Sequence, residues 1–126
     1  MGARIVTALA IIGAAGCTQT GSPEPVAFSA PAASYLSADL IAVSLEVSGA
    51  PTREALRAVT DCAAAEAARL RGDNFLRHVR TSREDEGGIS RADAVYSVSK
   101  ELPAGAFVLD AAIVAANCRA EGTSGV

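Results

Sequence analysis

The stretch "LIAVSLEVSGAPTREALRAVTDCAAAEAARLRG", residues 40–72, decides the fold. Its first nine residues alternate, with Ile41, Val43, Leu45 and Val47 on one side and Ala42, Ser44, Glu46 and Ser48 on the other. A period of two predicts a strand with one covered face. "GAPT" ends that strand, and Thr52, just after Pro51, has the side chain of a helix cap. A helix is predicted from Arg53 to about Arg71. Leu56, Val59, Ala63, Ala67 and Leu70 recur at steps of three and four, a stripe along one face, with Cys62 at its edge. Arg69 and Arg71 in the last turn suit the helix dipole, and Gly72 stops the helix.

Downstream, "NFLRHVRT" (74–81) reads as a second strand with poorly distinguished faces, Phe75 and Val79 against Leu76 and His78. "SREDEGGIS" reads as a polar loop turning at Gly87-Gly88, and "ADAVYSVS" (92–99) as a third strand. After the break at "ELPAG", the run "AFVLDAAIVAANC" (106–118) reads as a fourth strand from its β-branched residues and the early Phe107-Val108. Ala111, Ala112, Ala115 and Ala116 leave a helix open there. The expected fold class is α+β: a small β-α-β-β-β domain over residues 35–120, one alanine-rich helix packed on a mostly antiparallel sheet, then a polar tail over 121–126.

The N-terminus has a different character. Arg4 precedes the uncharged run "IVTALAII", then "GAAG" and Cys17. A basic start, a short apolar core and a small-residue processing site are the order of a secretory signal, and the run is too short to span a bilayer. Ala14-Ala15-Gly16 before Cys17 resembles the lipobox of bacterial lipoproteins, although alanine stands at 14 where leucine is usual. The resemblance implies a signal peptide over 1–16, cleavage before Cys17 and lipidation of Cys17. Thr18 after the cysteine implies the outer membrane, with the domain on its periplasmic side. Residues 17–34, rich in proline and small polar side chains, then read as a lipidated flexible tether.

Composition narrows the function. Fourteen acidic side chains outnumber eleven basic ones, a net charge of −3, and no basic stripe provides a footprint for nucleic acid. With two tyrosines, three phenylalanines and no tryptophan, the core has to come from alanine, valine, leucine and isoleucine. Once Cys17 is lipidated, Cys62 and Cys118 remain, and an even count in an oxidising compartment reads as a disulfide. With Cys118 late on the last predicted strand, that bridge is expected to pin helix to sheet. The absence of CxxC argues against redox exchange.

The run "CAAAEAARLRGDNFLRHVRT" followed by "GGISRADAVYSVS" resembles small bacterial envelope domains of the YbjQ and RcsF kind, and uncharacterised alphaproteobacterial lipoproteins with a helix-Gly-strand core. That resemblance implies a non-enzymatic domain working through partner proteins, though a second internal cysteine pair of the RcsF type is missing. The residues themselves suggest no catalytic, cofactor or metal set. His78 is a lone strand histidine flanked by arginines. Glu84-Asp85-Glu86 lacks the spacing of a calcium loop, and Ser97 and Ser99 have no nucleophile elbow. Arginines 53, 57, 69, 71, 77 and 80 are candidates for a patch facing an acidic partner, or for ordinary solubility. The expected role is a non-enzymatic, lipid-anchored envelope protein contacting another protein or peptidoglycan. The alternative is a small-ligand or metal-binding periplasmic module with a pocket at Tyr96 or His78.

Overall fold

The computed structural model describes residue 2 and residues 25–122. The lipobox, Cys17, the first part of the expected tether and the last four residues lie outside this range. The chain runs β1 (Ala27–Phe28), β2 (Ala32–Ser37), β3 (Leu40–Ser48), α1 (Arg53–Leu70), β4 (Phe75–Glu86), β5 (Ile89–Ser99), β6 (Leu109–Asp110) and α2 (Ala111–Ala120). It is a small α+β domain, two helices packed on an antiparallel sheet ordered β1-β3-β5-β4-β6, with β2 also paired to β3. Strand β5 returns between β3 and β4, so the strands on either side of α1 run parallel without pairing with each other.

The predicted first strand is β3, and Ile41, Val43, Leu45 and Val47 are all buried. Burying a side chain of this kind stabilises the fold by about 1.5–3 kcal/mol. Opposite them on β5 stand Tyr96, Ala94, Ala92 and Ser90, so beyond the Ile41–Tyr96 pair each bulky side chain of β3 stands beside a small one on β5. Thr52 caps α1 as expected, its Oγ1 accepting the Ala55 N–H at 3.0 Å. At the other end Gly72 takes a φ of 80°, the Gly72 N–H donates to the Arg69 carbonyl, and the Asp73 N–H donates to the Ala68 carbonyl at 2.9 Å. These are the two bonds of a Schellman motif, which satisfies carbonyls that a helix end otherwise leaves unpaired.

Helix α1 is rotated from the expected stripe. Leu56, Thr60, Ala64 and Ala68 are buried, while Leu70 is 71% exposed. The face of alanines and a threonine goes inward because Tyr96 stands at the centre of the sheet and needs the room. Cys62 and Ala65 are also buried, on the side toward α2.

Three expectations change. First, the expected tether ends early: β1 and β2 pair antiparallel with β3, and Ser29 bridges them, its N–H donating to the Glu46 carbonyl and its Oγ accepting the Glu46 N–H, both at 2.8 Å. Second, the polar loop after Thr81 is strand. Residues 82–86 continue β4 along β5, and Gly87-Gly88, with φ of 60° and 81°, form a two-residue hairpin turn. Third, the run 106–118 is mainly helix. Phe107 has a φ of 60°, which ends any strand there, and Asp110 caps α2 by accepting the Ile113 N–H at 3.1 Å. The alanines then follow their intrinsic preference.

The disulfide Cys62–Cys118 is present, with 6.0 Å between Cα atoms. Because Cys118 lies on α2, it ties helix to helix rather than helix to sheet. Closing a loop of about 57 residues has a chain-entropy ceiling near 4 kcal/mol. We expect reduction of this bond to lower unfolding stability by about 2–4 kcal/mol, measured by denaturant titration with and without reductant. An unchanged midpoint contradicts that role.

Candidate functional site

The two halves of β4 differ because of a bulge. The register with β5 shifts between His78 and Arg80, leaving Val79 unpaired and 54% exposed. A bulge adds one residue to a strand and turns the alternation by one position. The side of β4 under the helices therefore runs Leu76, His78, Thr81, Arg83, Asp85, pairing with Val98, Tyr96, Ala94, Ala92 and Ser90 of β5. Only Leu76 among these β4 residues is fully buried and apolar. Beyond it the strand presents polar side chains to the side where α1 lies.

The result is a groove of about 620 Å³ between the first half of α1 and the far half of β4, lined by Arg53, Glu54, Leu56, Arg57, His78, Thr81 and Arg83. Three arginines and one glutamate give it a positive balance within an acidic chain. Arg57 Nε donates to Asp61 Oδ1 at 2.7 Å, and Arg83 donates to Asp85 at 3.2 Å and to Ser90 Oγ at 3.1 Å. These bonds hold two of the guanidinium groups in place along the groove.

Beneath it lies a buried polar network. The Tyr96 hydroxyl donates to Asp61 Oδ1 and lies 2.8 Å from Thr60 Oγ1. The tyrosine has a single proton, directed at the carboxylate, so across the second contact the Thr60 hydroxyl is the donor. Burial, reinforced by the Asp61 carboxylate, pushes the Tyr96 phenol well above its ordinary pKa, and it stays neutral. His78 meets the Tyr96 ring edge-on at 5.3 Å between centroids, with Nε2 2.6 Å from Thr81 Oγ1. Partial burial, with the Arg57 charge adding to it, lowers the His78 pKa, and Asp61 acts weakly in the opposite sense. A second tyrosine makes a comparable anchor elsewhere. Tyr35 donates to Asp73 at 2.7 Å beneath the Arg71 guanidinium, and its pKa is pushed up to about 12 by burial and then by Asp73.

The six candidate arginines are dispersed rather than gathered into one patch. Arg53 and Arg57 reach the groove, where Arg83 joins them. Arg69 pairs with Glu66 at 2.7 Å, Arg71 stacks on Tyr35, and Arg77 donates to the carbonyls of Ala104 and Ala106. Arg80 donates to Ser82 on the other side of the strand. Glu84, Asp85 and Glu86 are divided between the two sides of β4, as strand geometry requires. Among the described residues no group of three or more His, Cys, Asp or Glu side chains converges to hold a metal. His78 lines the groove with the Thr81 hydroxyl beside it, and Tyr96 lies under it.

The histidine gives the site a pH dependence. A lowered folded-state pKa means that the unfolded chain binds the proton more readily. The contribution is complete above the unfolded value, about 6.5, and is lost as pH falls through that value toward the folded one. We expect His78→Gln to flatten the decline of thermal stability as pH drops from about 7 to 5, read as Tm against pH. Equal slopes in both proteins contradict this account.

No curated protein and no solved structure matches the chain. Residues 28–122, from β1 to the turn after α2, match the family described as the YNQ4 C-terminal domain, and the chain belongs to that family.

Proposed function

We propose that this chain is a non-enzymatic binding domain, carried outside the cytoplasm on a lipid at Cys17, that holds an acidic segment of an envelope protein in the groove between α1 and β4. The groove carries this reading: a polar strand face left open beside a helix, with Arg53, Arg57 and Arg83 along it. Guanidinium groups recognise carboxylates through paired, charge-assisted hydrogen bonds. Two of the three are already oriented by Asp61 and Asp85, which reduces the ordering cost of binding. Export is supported by the signal-like N-terminus with Cys17 and by the Cys62–Cys118 bond, since stable disulfides belong to oxidising compartments. The YbjQ and RcsF resemblance points the same way, toward partner contact.

The groove volume favours a second reading. About 620 Å³ falls within the range of small-ligand sites, so a compact polyanion, or a carboxylate-bearing peptidoglycan fragment, is the alternative occupant.

Two experiments test these assignments. Cys17→Ser is expected to move the chain from the membrane fraction to the soluble periplasm; unchanged fractionation defeats the anchor. Arg57→Glu with Arg83→Glu is expected to reduce crosslinking to an envelope partner in intact cells by at least about tenfold, a change on the scale of losing one charge-assisted contact. Full retention of the crosslinked partner in that variant removes the groove as the binding face. Loss of binding to purified peptidoglycan instead of to protein moves the assignment to the second reading.

A further inference from the structure

Strand β4 is covered along its outer edge only at one end. There β6 pairs with Phe75 and Leu76, and Arg77 binds the carbonyls of the loop before β6. From His78 to Glu86 the described residues include nothing paired on that side. A free edge is a row of unpaired backbone donors and acceptors, available to another strand.

The charges along this edge are ordered. The segment "RHVRTSREDE", 77–86, is basic in its first half and acidic in its last three residues. A strand that is positive at one end and negative at the other matches a second copy of itself placed antiparallel, by electrostatic complementarity. We infer that β4 pairs antiparallel with β4 of a second copy of this chain, about a two-fold axis at Ser82, joining two sheets into one.

The register follows from the side chains. With Ser82 on the axis, Arg80 faces the second copy's Glu84 on the side away from the helices, twice by symmetry, and Thr81 faces Arg83 on the groove side. Opposite charges directly across a strand pair stabilise it, and like charges destabilise it. Moving the axis to Arg83 sets two arginines face to face, and moving it to Thr81 leaves Arg80 opposite serine. Arg80 and Glu84 lie on the strand face away from α1, and Glu84 has no ion-pair partner among the described residues. The opposite sheet edge, β2, reads "AASYLS" and has no charge to set a register. The pairing also brings two grooves side by side, with an Arg83 from each copy near the axis. The inference does not depend on what the groove binds.

Cysteine crosslinking in the full-length chain, expressed in its own envelope, tests this. Residues on the axis approach their own copies to within about 5 Å, whereas positions two residues away lie roughly 14 Å from theirs. Ser82→Cys is expected to give the strongest disulfide-linked dimer on non-reducing gels. Arg80→Cys and Glu84→Cys, each alone, are expected to give at least about fivefold less, and the two co-expressed to crosslink with each other. The unsubstituted chain sets the background. Within Ser82→Cys, adding Arg80→Glu is expected to cut the dimer several-fold, and adding Glu84→Arg to that variant to restore it. A flat profile, a maximum elsewhere, or no restoration overturns the inference. A result that leaves groove binding intact while abolishing the dimer, or the reverse, separates the two assignments.

Discussion

The packing of α1 against Tyr96 governs this fold. The tyrosine stands at the centre of the sheet, fully buried, and a ring of that size displaces anything bulky above it. Helix α1 meets it with Thr60, Ala64 and Ala68. The small side chains let the helix axis come close, and the buried hydroxyl is satisfied by Thr60 and Asp61. A buried phenol without partners costs about as much as the burial of its ring returns, so the two polar residues belong to the core as much as the alanines do. Their positions fix the rotation of the helix, and the exposure of Leu70 follows from that rotation.

The same contact sets where the helix does not reach. A second, smaller apolar cluster joins Leu45, Val47, Leu56 and Ala92 at the far end of the sheet, and it is built from β3, β5 and α1 without β4. Past the bulge at Val79, β4 contributes Thr81, Arg83 and Asp85 to the covered side, and Thr81 and Arg83 line the groove together with His78. The open groove is therefore a consequence of strand register, and the side chains that β4 gives it are polar because that half of the strand has no core to enter.

Much of this was legible in the residues, and the misses have specific causes. The alternation over 40–48, the cap at Thr52 and the stop at Gly72 are local signals, and each appears where expected. The disulfide pair followed from counting cysteines. The stripe on α1 misled because alanine fits either face, so only the tertiary partner could choose between them. The length of β4 was hidden because an edge strand needs no apolar side chains, and "SREDE" looks like loop. Asp110 within the run 106–118 is a helix cap whose signal competes with that of its β-branched neighbours. The groove depended on Arg83 and on a bulge, and no pattern in a single sequence marks where a bulge will fall.

A core assembled so largely from alanine reverses the usual direction of mutational damage. Ala64, Ala65, Ala68, Ala92 and Ala94 are all completely enclosed, and trimming a methyl group leaves little emptiness behind. Adding even two carbons drives a side chain into neighbours already at crystal-like density. At these five positions change is thus limited by growth rather than by loss.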